Sequence, residues 1–155
     1  MALRKLIYEG DALLKKVSKP VDRFDEKLHE LLDDMAETLR YHNGVGLAAV
    51  QVGYLRRLFI IDDFENIHEF INPEIINSSG VIERQEGCLS CPGKFGITAR
   101  PNRVTIKAKD RNGKPFIYRG EDIIAQAICH ENDHLDGKLF YDSVIRMLDE
   151  EDLNV

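Results

Sequence analysis

The reading of the fold turns on residues 121–135, EDIIAQAICHENDHL. Ile123, Ile124, Ala127 and Ile128 run directly into His130-Glu131-Asn132-Asp133-His134. The stretch reads as a helix over Glu121–Leu135 that stops near Gly137. Within it stands an H-E-x-x-H pattern. On a helix, residues i and i+4 lie on one face, one turn apart, so the two imidazoles can bind one metal ion. Glu131 sits about 100° round from His130. From there it reaches a water on that ion but is badly placed as a third ligand. The spacing therefore offers two ligands and a general base. The competing reading, a solvated helix end with incidental histidines, fits poorly with the apolar run that leads into the pattern.

A catalytic metal of this kind wants three protein ligands and one open position. An extended H-E-x-x-H-x-x-G-x-x-H pattern is satisfied at Gly137 but fails at Phe140, and no His follows His134. Glu150 and Glu151 stand downstream, but in an acidic stretch with Asp149 and Asp152 that reads as a solvated face. Upstream, Glu86-Gly87-Cys88-Leu89-Ser90 offers a thiol in tight, polar backbone. One thiolate and two neutral imidazoles make a donor set of net charge −1 for a divalent ion, with a fourth position left for water. Cys88-Leu89-Ser90-Cys91 is also a C-x-x-C, and with both histidines it would make a closed, structural zinc site. Against that, the separation from Cys91 to His130 is long for a small zinc module, and Glu131 would have no purpose.

Working outward, Asp25–His42 reads as a second helix, with an apolar stripe of Leu28, Leu31, Leu32, Met35 and Leu39. Asp25 suits its N-cap and Asn43-Gly44 its stop. Strands are expected over Arg57–Asp62, at Phe70-Ile71 and over Arg103–Lys109, where Val104, Ile106 and Ala108 alternate with polar residues. Asp110-Arg111-Asn112-Gly113 supplies turn chemistry before a partner strand at Phe116-Ile117-Tyr118. Ser143–Glu150 is expected to be a short terminal helix. Strands in the middle and helices at the ends favour an α+β class. Mixed or antiparallel strands would pack around the central H-E-x-x-H helix. Gly44-x-Gly46 could suggest a phosphate loop, but it lacks a third Gly at position 49 and a clear preceding strand. Its glycines more simply let backbone approach a substrate closely.

The whole chain sets the frame. Its 155 residues suit one domain, 1–155, large enough to fold without a metal or disulfide staple. A 43% hydrophobic and 31% charged composition excludes disordered and fibrous classes. Three Cys argue against a disulfide framework and for a reducing compartment. The net charge of −6 gives no basic footprint for nucleic acid. No apolar run reaches membrane-spanning length, and Glu9 and Asp11 spoil a signal peptide. A cytoplasmic location is the expectation, with no membrane and no direct nucleic-acid recognition. Cys129 points away from the His face and reads as a small core residue. His29, His42 and His68 lie outside any ligand spacing.

Three segments in order, Gly44-Val45-Gly46-Leu47-Ala48-Ala49-Val50-Gln51, Glu86-Gly87-Cys88-Leu89-Ser90 and His130-Glu131-Asn132-Asp133-His134, resemble the motifs of the peptide deformylase family. The likeness continues through Ile71-Asn72-Pro73-Glu74, Asp110-Arg111-Asn112-Gly113 and Leu135-Asp136-Gly137-Lys138-Leu139-Phe140, so it covers nearly the whole chain. The resemblance implies metal-dependent removal of the formyl group from the N-terminal formyl-methionine of new polypeptides, releasing formate. It implies Cys88, His130 and His134 as ligands and Glu131 as the general base and acid toward a metal-bound water. Gln51 and the Leu89 backbone N–H would face the reacting carbonyl oxygen. Gly44, Val45, Gly46, Gly87 and Arg100 would contact substrate. Cys91 departs from the family, which usually carries an aliphatic residue there before Pro. Imidazole and thiolate suit Zn²⁺, Fe²⁺, Co²⁺ or Ni²⁺, and the resemblance implies Fe²⁺. Formyl-methionyl nascent peptides, and the ribosome where they emerge, are the expected partners. Some relatives dock there through a basic C-terminal extension, whereas this sequence ends at Val155 with an acidic tail.

Overall fold

The computed structural model describes residues 2–153; Val155, at the end of the acidic tail, lies outside the described residues. Helix α1 (Glu26–His42) begins where expected, with the Asp25 carboxylate accepting from the Leu28 N–H. It ends at Asn43, which takes a left-handed conformation (φ 54°). Strands β1 (Gly46–Ala48), β2 (Leu58–Asp62), β3 (Ile67–Ser79), β6 (Arg103–Lys109) and β7 (Pro115–Glu121) form a five-stranded sheet in the order β1-β2-β3-β6-β7. Strands β4 (Ile82–Cys88), β5 (Cys91–Arg100) and β8 (Val144–Met147) form a second sheet in the order β4-β5-β8. All of these pairings are antiparallel. Helix α2 is Ile123–Leu135 and helix α3 is Glu150–Leu153.

The run Leu58-Phe59-Ile60-Ile61 is apolar on both faces because the larger sheet is covered on both sides. Leu58 and Ile60 pack with the Leu28, Leu31, Leu32, Met35 and Leu39 stripe of α1. Phe59 and Ile61 pack with Phe70, Val104, Ile106 and Ala108 and with Ala125, Ala127 and Ile128 of α2. Full burial of one such Leu or Ile contributes about 1.5–3 kcal/mol. The H-E-x-x-H helix is thus clamped by its apolar side and offers its other side to the smaller sheet.

Three elements differ from their sequence expectations. Helix α2 starts at Ile123 rather than Glu121, because Glu121 still pairs with Arg103 in the sheet and Asp122 takes φ 58°. The span Ser143–Glu150 is not a helix. Val144, Arg146 and Met147 pair with β5, as suits the β-branched pair Val144-Ile145 at a sheet edge, and the terminal helix is confined to α3. The strand expected at Phe70-Ile71 runs on through Asn72-Pro73 to Ser79. Pro73, with no N–H to donate, sits in a register shift between Ile71 and Glu74, where Asn72 takes φ 50°. The Asn72 side chain uses that bend to exchange two hydrogen bonds with the Val21 backbone, 2.8 and 2.9 Å.

Candidate active site

Helix α2 holds His130 and His134 on one face, and both are buried. Cys88 comes from the other sheet, at the end of β4, where the two-residue turn Leu89-Ser90 leads into β5. Its Sγ lies 3.4 Å from His134 Nε2. The ligating atoms of Cys88, His130 and His134 all lie within 4.8 Å of one another. Metal–sulfur and metal–nitrogen bond lengths of about 2.3 and 2.0–2.1 Å put two donors of one tetrahedral ion roughly 3.5 Å apart, so these residues fit a divalent ion. Burial, and then the neighbouring His130, hold His134 neutral well below its ordinary pKa, the form a ligand needs. Contact with Cys91 and burial push the Cys88 thiol far above its ordinary value, so a cation must supply the charge that makes it a thiolate. Cys91 lies outside the donor cluster, which rules against a closed Cys₂His₂ site.

A buried carboxylate orients the first histidine. Glu86 Oε2 accepts from His130 Nδ1 at 2.6 Å, so the lone pair of Nε2 is turned toward the cluster. Glu86 also accepts from Arg100 Nε (3.0 Å) and Nη2 (2.7 Å) and from Thr98 Oγ1 (2.7 Å). Arg100 Nη1 then donates to Asp133 Oδ2 at 2.7 Å, which ties the network back to α2. Burial alone would raise the Glu86 pKa. The bonds from His130 and Arg100 overcome it and hold the carboxyl at about 2, ionised at any working pH.

Glu131 is almost wholly buried, and burial pushes its pKa up to about 7, poised to take and release a proton near neutrality. Its Oε1 has no hydrogen-bond partner among the described residues, an orphaned acceptor beside the donor cluster. Gly46 lets it lie there: a Cβ on Gly46 would stand 2.7 Å from Glu131 Oε2 and 2.8 Å from its Cγ. Gly46→Ala is therefore expected to displace the carboxylate and lower turnover about 10²-fold. Measurement of kcat beside metal content checks this, since the ligands themselves are untouched. Gln51 lies in a 3₁₀ turn (Ala49–Val52) that follows β1. Its Oε1 accepts from the Ala48 N–H at 2.9 Å, and its Nε2 points at Ser90 Oγ (3.1 Å) and Cys88 Sγ (3.6 Å). The amide is fixed with its donor side toward the cluster, as an oxyanion donor must be.

A cavity of about 710 Å³ opens beside these groups, within the range for small-ligand sites. Of the residues picked out from the sequence, Gly44, Val45, Gly46, Gln51, Gly87, Cys88, Leu89, His130 and Glu131 all line it. Arg100 does not. It is buried, with its guanidinium taken up by Glu86 and Asp133 rather than exposed in a surface ion pair. Cys129 is buried in the core on the far side of α2, as its spacing suggested. His29 bonds the Arg111 carbonyl (2.9 Å) and His68 bonds Asp63 (2.6 Å), both away from the cluster. Sequence reasoning missed Glu86 as the partner of His130, and with it Thr98 and Asp133. It also missed Tyr8, Phe95, Ile123 and Gln126 on the cavity wall. The only sequence signal for Glu86 was its place two residues before Cys88.

Comparison with known proteins agrees with this geometry. Residues 3–150 match the family model described as polypeptide deformylase. The chain belongs to the polypeptide deformylase family. A peptide deformylase of Acetivibrio thermocellus is 50% identical over 153 residues, which is 99% of this chain and 90% of that one. The peptide deformylase structure from Legionella pneumophila superposes with a TM-score of 0.88 at 44% identity, over 97% of this chain and 88% of that one. The Synechococcus elongatus peptide deformylase, solved in complex with actinonin, matches at 38% identity and TM-score 0.88, over 97% of this chain and 82% of that one. Deformylases are metal-dependent hydrolases that take the N-terminal formyl group off newly made polypeptides, and that is the activity of this chain. Among the described residues, no helix is long and apolar enough to cross a membrane.

Proposed function

We propose that residues 1–155 act as one catalytic domain in which Cys88, His130 and His134 hold the metal, Glu131 moves the proton, and Gln51 and the Leu89 backbone N–H receive the developing negative charge. The observation that carries this reading is the convergence of the Cys88, His130 and His134 donor atoms within 4.8 Å, with Cys88 and His130 on the wall of the cavity that Glu131 and Gln51 also line. When bound, a divalent ion would polarise the formyl carbonyl and lower the pKa of a water. Glu131 takes the proton from the attacking water at its carboxylate and returns it to the departing amine nitrogen. Gln51 Nε2–H and the Leu89 N–H donate to the former carbonyl oxygen, where loss of one donor typically costs about 2.7–4 kcal/mol. Gln51→Glu keeps the acceptor for Ala48 and removes the donor, so kcat should fall about 10²–10³-fold with KM little changed.

Strands β1 and β4 are edge strands of their sheets and flank the cavity through Gly46 and through Gln85–Gly87. An extended peptide can pair with such an edge, with Gly44, Val45, Gly46 and Gly87 as its close contacts. Fe²⁺ is the proposed working ion, and the same donors accept Zn²⁺, Ni²⁺ or Co²⁺. Formyl-methionyl nascent peptides at the cytoplasmic ribosome are the proposed substrates. The test is an anaerobic assay of formate release from formyl-Met-Ala-Ser by protein of measured metal content. Formate should appear in the Fe²⁺- or Ni²⁺-loaded protein, and none in either would overturn the reading.

A further inference from the structure

Cys91 is a buried nucleophile that the deformylation chemistry does not use. It is 1% exposed, packed with Leu139 and Phe140, and both it and Cys88 carry free thiols on the wall of the same cavity. The two cysteines are register partners across the β4–β5 hairpin, separated only by Leu89-Ser90. Directly opposed residues of an antiparallel pair have Cα atoms about 4.5–5.5 Å apart and side chains on the same face. That falls within the roughly 4.4–6.8 Å that the Cα atoms of a disulfide span. The third thiol, Cys129, is held in the core on α2 and lines no part of the cavity.

We propose that Cys88 and Cys91 form a site of reversible oxidation by hydroperoxides, in which the Cys88–Cys91 disulfide withdraws Cys88 from the metal. In the first step the Cys91 sulfur attacks one peroxide oxygen. The O–O bond breaks, a sulfenic acid forms on Cys91, and water or an alcohol leaves. The Cys88 sulfur then attacks the Cys91 sulfur. The S–S bond forms, the S–O bond breaks, and hydroxide departs with a proton as water. Two thiols and one hydroperoxide give one disulfide plus water and an alcohol (two waters from hydrogen peroxide), the two electrons passing from sulfur to the peroxide. A dithiol reverses the reaction and restores the donor set. Without Cys91, Cys88 has no partner to trap its sulfenic acid, and further oxidation to the sulfinic acid is irreversible. The consequence for the metal rests on Cys88 being a ligand, as proposed above.

The test treats metal-loaded protein with graded hydrogen peroxide, blocks remaining thiols, and reads the tryptic peptide Gln85–Lys94, which carries Cys88 and Cys91 but not Cys129. The expected result is that this peptide becomes lighter by two hydrogens while one metal ion is released, and that dithiothreitol with fresh metal restores the original mass and the metal content. Cys91→Val, which refills the apolar pocket, and Cys91→Ser should instead give sulfinic or sulfonic acid at Cys88, with recovery of metal binding lower by about tenfold or more. Oxygen adducts at Cys88 of the unaltered protein, with Cys91 still reduced, would overturn the proposal. So would metal release with both thiols intact. A disulfide formed while the metal stays bound would leave the oxidation site standing, but would remove both its coupling to the metal and Cys88 from the ligand set.

Discussion

Glu131→Gln is expected to lower turnover by about 10²–10⁴-fold, the usual contribution of a positioned general base, and to leave the metal content unchanged. The amide has the shape of the carboxylate, so it fits the space that Gly46 leaves open, and it removes none of the three donor atoms. What it loses is the ability to carry a proton. Burial has already raised that carboxyl to about 7, so the native group can be ionised when water must be deprotonated and protonated when the amine must leave. Steady-state kinetics on protein of measured metal content separates the two functions. A variant that keeps its metal and turns over within tenfold of the parent would remove Glu131 from the proton path. A variant that loses the metal would make Glu131 part of the binding site instead.

The second large effect belongs to a residue that touches neither substrate nor metal. Arg100→Met keeps most of the aliphatic stem but strips the buried carboxylate of Glu86 of two charge-assisted hydrogen bonds, and Asp133 of one. Breaking a buried ion pair by removing one partner typically costs about 3–5 kcal/mol, which for a chain of this length is a fall in Tm of roughly 10 °C. His130 and Thr98 still bond Glu86, which places the expectation toward the lower end. Because Glu86 holds His130, metal affinity should fall as well, by about 10–100-fold. Urea denaturation and a metal titration read the two effects separately. A loss of less than about 1 kcal/mol would mean the pair is worth no more than a surface bridge. Arg100→Lys should rescue only part of either loss, since an ammonium cannot present the two parallel donors that Glu86 accepts.

Both predictions show where the sequence was informative. Glu131 was legible because helical periodicity fixes it relative to His130 and His134, and the apolar residues around it announce the helix. The face of α1 and the turn at Asp110–Gly113 were legible for the same reason: each depends on chemistry within a few residues. The β4–β5 hairpin was not. Its strand residues Glu83, Arg84, Gln85 and Glu86 are polar, and its turn is Leu89-Ser90 rather than a sequence with an evident turn preference. Its partners are supplied by tertiary structure, so no local period marks it. Glu86 was invisible as the partner of His130 because the contact joins residues 44 positions apart. The burial of Arg100 was illegible for a related reason. An arginine in a strand gives no hint that three carboxylate bonds wait for it in the interior. The edge strand Val144–Met147 is too short to separate from a helical turn by periodicity alone.

The donor atoms come from two different sheets: Cys88 from the end of β4, and the two histidines from a helix seated on the larger sheet. An ion held by all three therefore works as a strut between the two halves of the fold, and its binding is linked to the equilibrium between them. Free metal at about one hundred times its dissociation constant adds about 2.7 kcal/mol to the folded state. Withdrawing it removes one tie between the three-stranded sheet and the rest, alongside the Glu86–His130, Arg100–Asp133, Gln126–Gln85 and Gln51–Ser90 bonds and the Cys91, Leu139 and Phe140 cluster. An ion held by Cys88, His130 and His134 would thus help to set how firmly the wall of its own cavity stands.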